Sequence, residues 1–329
     1  MTMDLRKIKI IPLAAESFGV RSMSTLAETP DLKLLIDPGV SLGQRFAILP
    51  HPIEYKALKN CRERIISAAE DADILAISHY HFDHYTPIGF TDFVWMWNTT
   101  EAAQRIYQDK VVLAKDIRKT INFSQRRRGW IFQKSSAKLV KKIVTADGRA
   151  YRFGETELKF SDPVFHGEED SALGWVLMLT ITYQDEKVMY TPDVQGPISD
   201  QTLKLILAEN PLLLIIGGPP LYLARFKVSE NTIVHGLENL ARISTLVPSM
   251  ILEHHLLRAE NWRTQAKPIF DIAKENGHRV ITAAEYLGKP NNLLEFKRRK
   301  LYQREPASLE FQKWMKLPKL KQKQTIPPI

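Results

Sequence analysis

Ser78-His79-Tyr80-His81-Phe82-Asp83-His84 packs three imidazoles and a carboxylate into the six positions from 79 to 84. It follows an apolar run, Ile74-Leu75-Ala76-Ile77, that reads as a buried strand. The polar residues therefore begin where a strand ends, on a loop held by a rigid core. On an extended backbone His79 and His81 project to the same side, because side chains alternate with period two. Two imidazoles on one side can grip one metal ion. Past the turn, Asp83 and His84 reach a second ion. Imidazole with carboxylate suits Zn²⁺, with Mn²⁺ and Fe²⁺ as alternative occupants. Single surface histidines mean little, but this cluster behind a buried strand points to metal.

The chain has 329 residues, 44% of them hydrophobic, enough for one large domain with a sizeable core. The N-terminal residues lack the apolar stretch of a signal peptide. No apolar run approaches the roughly 20 residues of a membrane span. The single Cys61 rules out an internal disulfide and fits a cytoplasmic, reducing home. The net charge of +9 is unevenly spread. Residues 115–142 hold ten Lys and Arg against Asp116, and residues 297–323 hold ten more against Glu305 and Glu310, which leaves the remainder at −8. An acidic body with two basic segments suggests an anionic partner.

His79-x-His81-x-Asp83-His84 resembles the signature of the metallo-β-lactamase superfamily. The opening Ile10-Ile11-Pro12-Leu13-Ala14-Ala15-Glu16-Ser17-Phe18-Gly19-Val20-Arg21-Ser22-Met23-Ser24, taken with Ser78–His84, is also similar to a mainly archaeal branch of it, which brings no substrate with it. The resemblance covers most of residues 5–290 and implies an α/β (α+β) fold, a four-layer αββα sandwich. It implies that His79, His81 and His166 hold one ion, that Asp83, His84 and His254 or His255 hold another, and that Asp193 bridges them. Leu252-Glu253-His254-His255-Leu256-Leu257-Arg258 aligns best with His254 as ligand and Arg258 as the later Arg; His255 is the fallback. Asp37, in Asp37-Pro38-Gly39, would by itself simply cap a turn. In this order of motifs it would orient a ligand imidazole through the far nitrogen. Asp83 and Asp193 are the catalytic candidates, acting with a hydroxide held between two zinc ions on an ester-type bond. The superfamily's oxygen and nitric-oxide reductases resemble His-x-Glu-x-Asp; here the middle position is His81, which favours zinc and hydrolysis.

Strands are expected near residues 6–13, 32–36, 74–77, 174–183, 187–190, 212–216 and 248–253, and helices over 53–70, 199–209, 229–246 and 263–277. Residues 91–140, with Trp95, Trp97, Trp130, Tyr107, Phe123 and Phe132 among many charges, read as a helical insertion in the 1–290 domain. Residues 291–329 read as a basic helix with a disordered tail. His235 reads as structural. Neither a serine-nucleophile elbow nor a phosphate loop is present. Three functions compete. The basic segments favour a phosphodiester in nucleic acid or a nucleotide, with Trp130 placed to stack a base. A compact single domain suits a small-molecule lactone or thioester. The third is a non-catalytic, metal-stabilised nucleic-acid-binding protein.

Overall fold

A computed structural model of the chain describes residues 5–169 and 171–329. Its first sheet takes β1 (Lys9–Pro12), β2 (Thr25–Glu28), β3 (Lys33–Ile36), β4 (Ile74–Ile77), β5 (Val111–Ala114) and β6 (Lys142–Thr145) in chain order. β1 to β3 are antiparallel, and β3 to β6 run parallel. Parallel neighbours need long crossovers, and helices supply them. These are α1 (Pro52–Asp71) before β4, α2 (Thr100–Tyr107) before β5 and α3 (Phe123–Ser136) before β6. All four residues of β4 are buried, as a central parallel strand covered on both faces requires. α1 begins at Pro52 behind a capping box in which His51 and Glu54 satisfy each other's backbone N–H groups. Its buried stripe, Tyr55, Leu58, Cys61, Arg62, Ile65 and Ala69, has the spacing of a helix lying on a core.

The second half of the chain repeats this logic. β7 (Ala150–Phe153) and β8 (Thr156–Phe160) lead to a separate two-stranded ladder of β9 (Val164–Phe165) and β10 (Trp175–Val176). β11 (Leu179–Tyr183), β12 (Glu186–Thr191), β13 (Leu213–Gly217), β14 (Ser249–Glu253) and β15 (Arg279–Ile281) then complete a seven-stranded sheet of order β15-β14-β13-β12-β11-β8-β7. Period two divides its faces. Leu213, Ile215 and Ile251 pack into the core shared with the first sheet. Leu214, Ile216, Met250 and Leu252 pack the other way. There they meet Leu203 and Ile206 of α4 (Asp200–Glu209), Leu240 and Ile243 of α5 (Glu230–Ser244) and Ile269 of α7 (Lys267–Glu275), which follows α6 (Trp262–Gln265). Helices outside two facing sheets make the αββα sandwich that the signature implied.

Two expectations are corrected. The segment 91–140 is not wholly an added helical piece: α2 and α3 flank β5, a strand of the first sheet. The apolar run Val111-Val112-Leu113-Ala114 was the signal. After α8 (Ala283–Tyr286), the basic C-terminus is ordered as α9 (Arg298–Arg304), α10 (Leu309–Met315) and α11 (Lys319–Gln324). Phe311 and Trp314, three apart on α10, are buried against Tyr55 with ring centroids 5.8 and 5.5 Å away. Trp314 Nε1 donates to Thr325 O at 2.9 Å. Average composition hid two aromatic anchors on one helix face. Arg298, counted among surface cations, is buried and bidentate on Glu54 at 2.8 Å.

The functional consequence is geometric. β3, β4, β12 and β14 finish at Ile36, Ile77, Thr191 and Glu253. The next few residues are Asp37, His79, Asp193 and His254, so the polar cluster assembles at the carboxyl ends of strands from both sheets.

Candidate metal centre

The Asp193 carboxylate is the centre of the cluster. Its Oδ2 lies 2.9 Å from His166 Nε2, 3.4 Å from His79 Nε2 and His84 Nε2, and 3.8 Å from His81 Nδ1. Its Oδ1 lies 2.7 Å from His254 Nε2 and 3.4 Å from His255 Nε2. Asp83 Oδ2 stands 3.6 Å from His254 Nε2. Ligand atoms of His79, His81, His166 and Asp193 fall within 4.8 Å of one another, as do those of Asp83, His84 and His254. Asp193, His254 and His255 form a further such group, and Asp37, His79 and His84 another, so the sequence candidates gather around Asp193.

Backbone packing explains the convergence. His84 N and Tyr85 N bond back to His81 O at 2.9 and 3.1 Å, folding the signature into a tight turn. Gly39 sits under that turn; a Cβ there would lie 2.2 Å from Tyr85 N, so only glycine permits the approach. Asp37, itself at φ 46°, accepts from Ser78 N at 2.7 Å, Ser78 Oγ at 2.6 Å, and Tyr190 Oη and His84 Nδ1 at 2.8 Å. With Nδ1 donating to Asp37, His84 turns its Nε2 toward Asp193. The same reasoning holds for His79. Ser78 Oγ gives its proton to Asp37 and so accepts from His79 Nδ1 at 2.9 Å, leaving Nε2 bare.

Arg258 lies against both adjacent histidines. A guanidinium can only donate. Arg258 Nη1 lies 2.9 Å from His255 Nδ1, so that nitrogen accepts. Tyr222 Oη lies 3.2 Å from it. Neutral His255 then carries its proton on Nε2 and presents an N–H to Asp193. His254 is held by the same cation: Arg258 Nη2 lies 3.3 Å from both its Nδ1 and its Nε2, and the Glu16 carboxylate stands 3.6 Å from Nδ1. His254 also holds a left-handed backbone, φ 65°, a costly conformation for a non-glycine residue.

The buried atoms His79 Nε2, His84 Nε2, His255 Nε2 and Asp193 Oδ1 have no hydrogen-bond partner. The 2.7 Å approach of Asp193 Oδ1 to His254 is too poorly aligned to serve. Buried polar atoms are rarely left so, and several converging on one point fit a divalent cation. The electrostatics agree. Burial and neighbouring His84 push the His79 pKa well below its ordinary value, and burial draws His81 down to about 4. Burial would raise Asp193, but His254, His166 and His84 outweigh it and hold the carboxyl well below the usual range. Burial would likewise lower His84, but Asp193 and Asp37 outweigh it and raise it. His79 and His81 thus stand as neutral imidazoles beside an ionised carboxylate, donors suited to a divalent cation.

Sequence reading missed the surrounding frame. Glu16 is buried and pairs with Arg258; burial pushes its pKa up to about 8 despite that cation. Gln195 Nε2 lies 3.3 Å from His166 Nδ1. A Glu in the apolar stretch before Phe18 was the one available signal; Gln195, Tyr190 and Tyr222 gave none. His235 lies outside the cluster, its Nε2 3.0 Å from Asp200 Oδ1, consistent with a structural histidine.

No family model matches the chain. Among solved structures, unliganded yeast PDE1 superposes with a TM-score of 0.53 at 10% identity, covering 84% of this chain and 98% of that one. The metallo-β-lactamase fold protein YhfI from Bacillus subtilis gives a TM-score of 0.48 at 16% identity, covering 87% and 99%. At such identities the likeness concerns fold alone. Sequence relatives are nearer. The UPF0282 protein of Methanopyrus kandleri is 42% identical over 289 residues, 88% of this chain and 97% of its own length. That of Methanocaldococcus jannaschii is 39% identical over 298 residues, 90% and 97%. With such identity along nearly the whole of both chains, the protein belongs to the UPF0282 family.

Proposed function

We propose that the protein is a metal-dependent hydrolase that acts on an anionic ester, with a phosphodiester of a nucleotide or nucleic acid as the best match. The observation that carries this reading is Asp193, one buried carboxylate around which six histidines gather, His79, His81, His84 and His166 at Oδ2 and His254 and His255 at Oδ1. His79, His81 and His166 would hold one ion. Asp83, His84 and His254 would hold a second, and Asp193 would serve both. Two zinc ions would supply Lewis-acid stabilisation of developing negative charge and a nucleophile drawn from water at neutral pH.

The chain's own residues do the rest. Asp37 and Ser78 fix two imidazoles by their far nitrogens, which sets ring orientation and basicity. His84 and His254 outweigh burial and keep the Asp83 carboxyl well below its ordinary pKa, so Asp83 stays ionised and accepts a proton-bearing partner at Oδ2. His255 presents Nε2–H where a substrate oxygen can receive it. On the outer flank of α3, Phe123 and Trp130 are exposed beside Arg118, Arg126 and Arg127 around an open groove of about 580 Å³. Aromatic faces among cations suit bases joined by phosphates.

The test is turnover of bis-p-nitrophenyl phosphate by zinc-reconstituted protein, run beside Asp193→Ala. Metal-dependent turnover that vanishes in the variant supports the reading. Inactivity of the metal-loaded wild type toward this diester, with hydrolysis of a lactone or thioester, would overturn the phosphodiester and retain the hydrolase. RNA binding without turnover of any ester would leave only a metal-stabilised binding protein.

A further inference from the structure

Arg128 stands apart from every other buried or half-buried cation in the chain. Arg258 rests on Glu16, Arg298 on Glu54, Arg21 on Glu295 and Lys115 on Asp147. Arg62 lacks a carboxylate but donates to Met96 O, Val40 O and Thr86 Oγ1. Arg128 has neither arrangement. Among the described residues it makes no ion pair and no hydrogen bond, and its Nε is buried without a partner. Its guanidinium lies over the Phe82 ring, 5.3 Å from the centroid. Phe82 is the residue between His81 and Asp83 in the signature loop.

The helix that carries Arg128 is fixed to that loop. Gly129 packs so closely on Tyr80 and Ile117 that a Cβ would lie 2.7 and 2.6 Å from their side chains. Tyr80 N donates to Gln125 Oε1 at 3.4 Å, and Gln125 Nε2 donates to Leu173 O at 2.8 Å. Asn122 Nδ2 donates to Ala172 O at 2.8 Å. α3 thereby bridges the signature loop and the segment that follows His166. Successive residues turn by about 100° on a helix, so Arg128 lies on nearly the opposite flank from Phe123, Arg126 and Trp130.

A half-buried cation with no counter-charge is costly. Burial draws its pKa down while Tyr85 and Asp83 push the other way. We infer that Arg128 is a specificity-determining residue whose guanidinium receives an anionic group of the substrate beside the metal-binding loop, selecting esters that carry negative charge next to the bond to be cleaved. A planar guanidinium seats a phosphate oxygen pair in a way that an ammonium does not. The inference deepens the proposed hydrolase and rests on that reading for the metals, but its binding arm stands without turnover.

The experiment compares wild type with Arg128→Met and Arg128→Lys, all zinc-loaded. Met keeps the packing on Phe82 and removes the charge. Calorimetric titration with inorganic phosphate is expected to show a roughly tenfold or greater weakening in Arg128→Met, as removal of a charged hydrogen bond implies, with partial recovery in Arg128→Lys and unchanged zinc content in both. With turnover, KM for bis-p-nitrophenyl phosphate rises by a similar factor, while kcat/KM for the neutral ester p-nitrophenyl acetate stays at the wild-type value. Phosphate binding unchanged in Arg128→Met at equal zinc content, or activity reduced no more for the charged ester than for the neutral one, would overturn the inference and leave Arg128 a packing residue on Phe82. Phosphate binding that depends on Arg128 in a protein with no diesterase activity would instead count against the proposed reaction and keep the anion site.

Discussion

At the scale of single residues, the centre depends on which nitrogen of each imidazole carries the proton. Asp37 and Ser78 hold His84 and His79 by their Nδ1 atoms, and Arg258 lies against both His254 and His255. With His254 as the proposed ligand, the two neighbouring histidines should behave differently. His254→Ala is expected to lose one of two bound zinc ions, and His255→Ala to keep both while losing activity; elemental analysis after dialysis distinguishes them. Arg258 supports both rings and touches Asp83 at 3.8 Å. Removing such an outer partner typically costs 10–100-fold in metal affinity, so Arg258→Met should weaken zinc binding by about that factor in a competition titration. The pH dependence of stability is worked out most simply at Glu295, away from the ligands. Burial would raise its carboxyl, but Arg21 and Arg258 outweigh it and draw it down to about 2 from an ordinary 4.5. A depressed carboxyl stabilises the fold fully above its unfolded pKa. That stability is lost as pH falls from about 4.5 through about 2, where the unfolded chain binds more protons. The contribution is on the order of 3 kcal/mol. Glu295→Gln should lower stability at neutral pH and flatten its decline across that acid window, as measured by denaturant unfolding at a series of pH values.

Among the elements, those that deliver ligands were the readable ones. β4, β12, β13 and β14 are short apolar runs that end in turn or polar residues, and α1 and α5 have plain helical spacing, so expected and observed spans agree to within a few residues. The C-terminal helices were not readable because Pro and Lys dominate the average there, while the packing depends on Phe311 and Trp314 alone. Trp314→Ala should cost about 3–5 kcal/mol, as large buried aromatics do, with a matching drop in unfolding free energy; a cost near zero would return the tail to disorder. β5 was hidden for a different reason. A four-residue strand between two charged helices presents too short an apolar run to separate from helix by periodicity.

For the whole molecule, a site built at the carboxyl ends of strands from both sheets cannot form until the sandwich closes. The candidate positions themselves were legible from the motif order, since His79, His81, Asp83, His84, His166, Asp193, His254 and His255 all gather at one point. The frame of Glu16, Gln195, Tyr190 and Tyr222 was not, because long-range polar pairings leave no periodic trace. Charge was only partly readable. Arg298 and Arg128 belong to basic runs, yet both are withdrawn from the open surface, whereas Lys313, Lys316, Lys319 and Lys321 are exposed. Replacing these four lysines with Gln should shallow the salt dependence of single-stranded RNA binding by up to about 0.7 for each phosphate no longer neutralised, without altering thermal stability. An unchanged slope in filter-binding titrations would remove the C-terminal helices from any polyanion surface.

The most direct measurement is the zinc content of the purified chain after saturation and exhaustive dialysis, taken for wild type and Asp193→Ala together. Two ions per wild-type chain, falling to one or none when the shared carboxylate is removed, is the predicted result. A folded wild-type chain that retains no divalent metal would contradict a metal centre at Asp193.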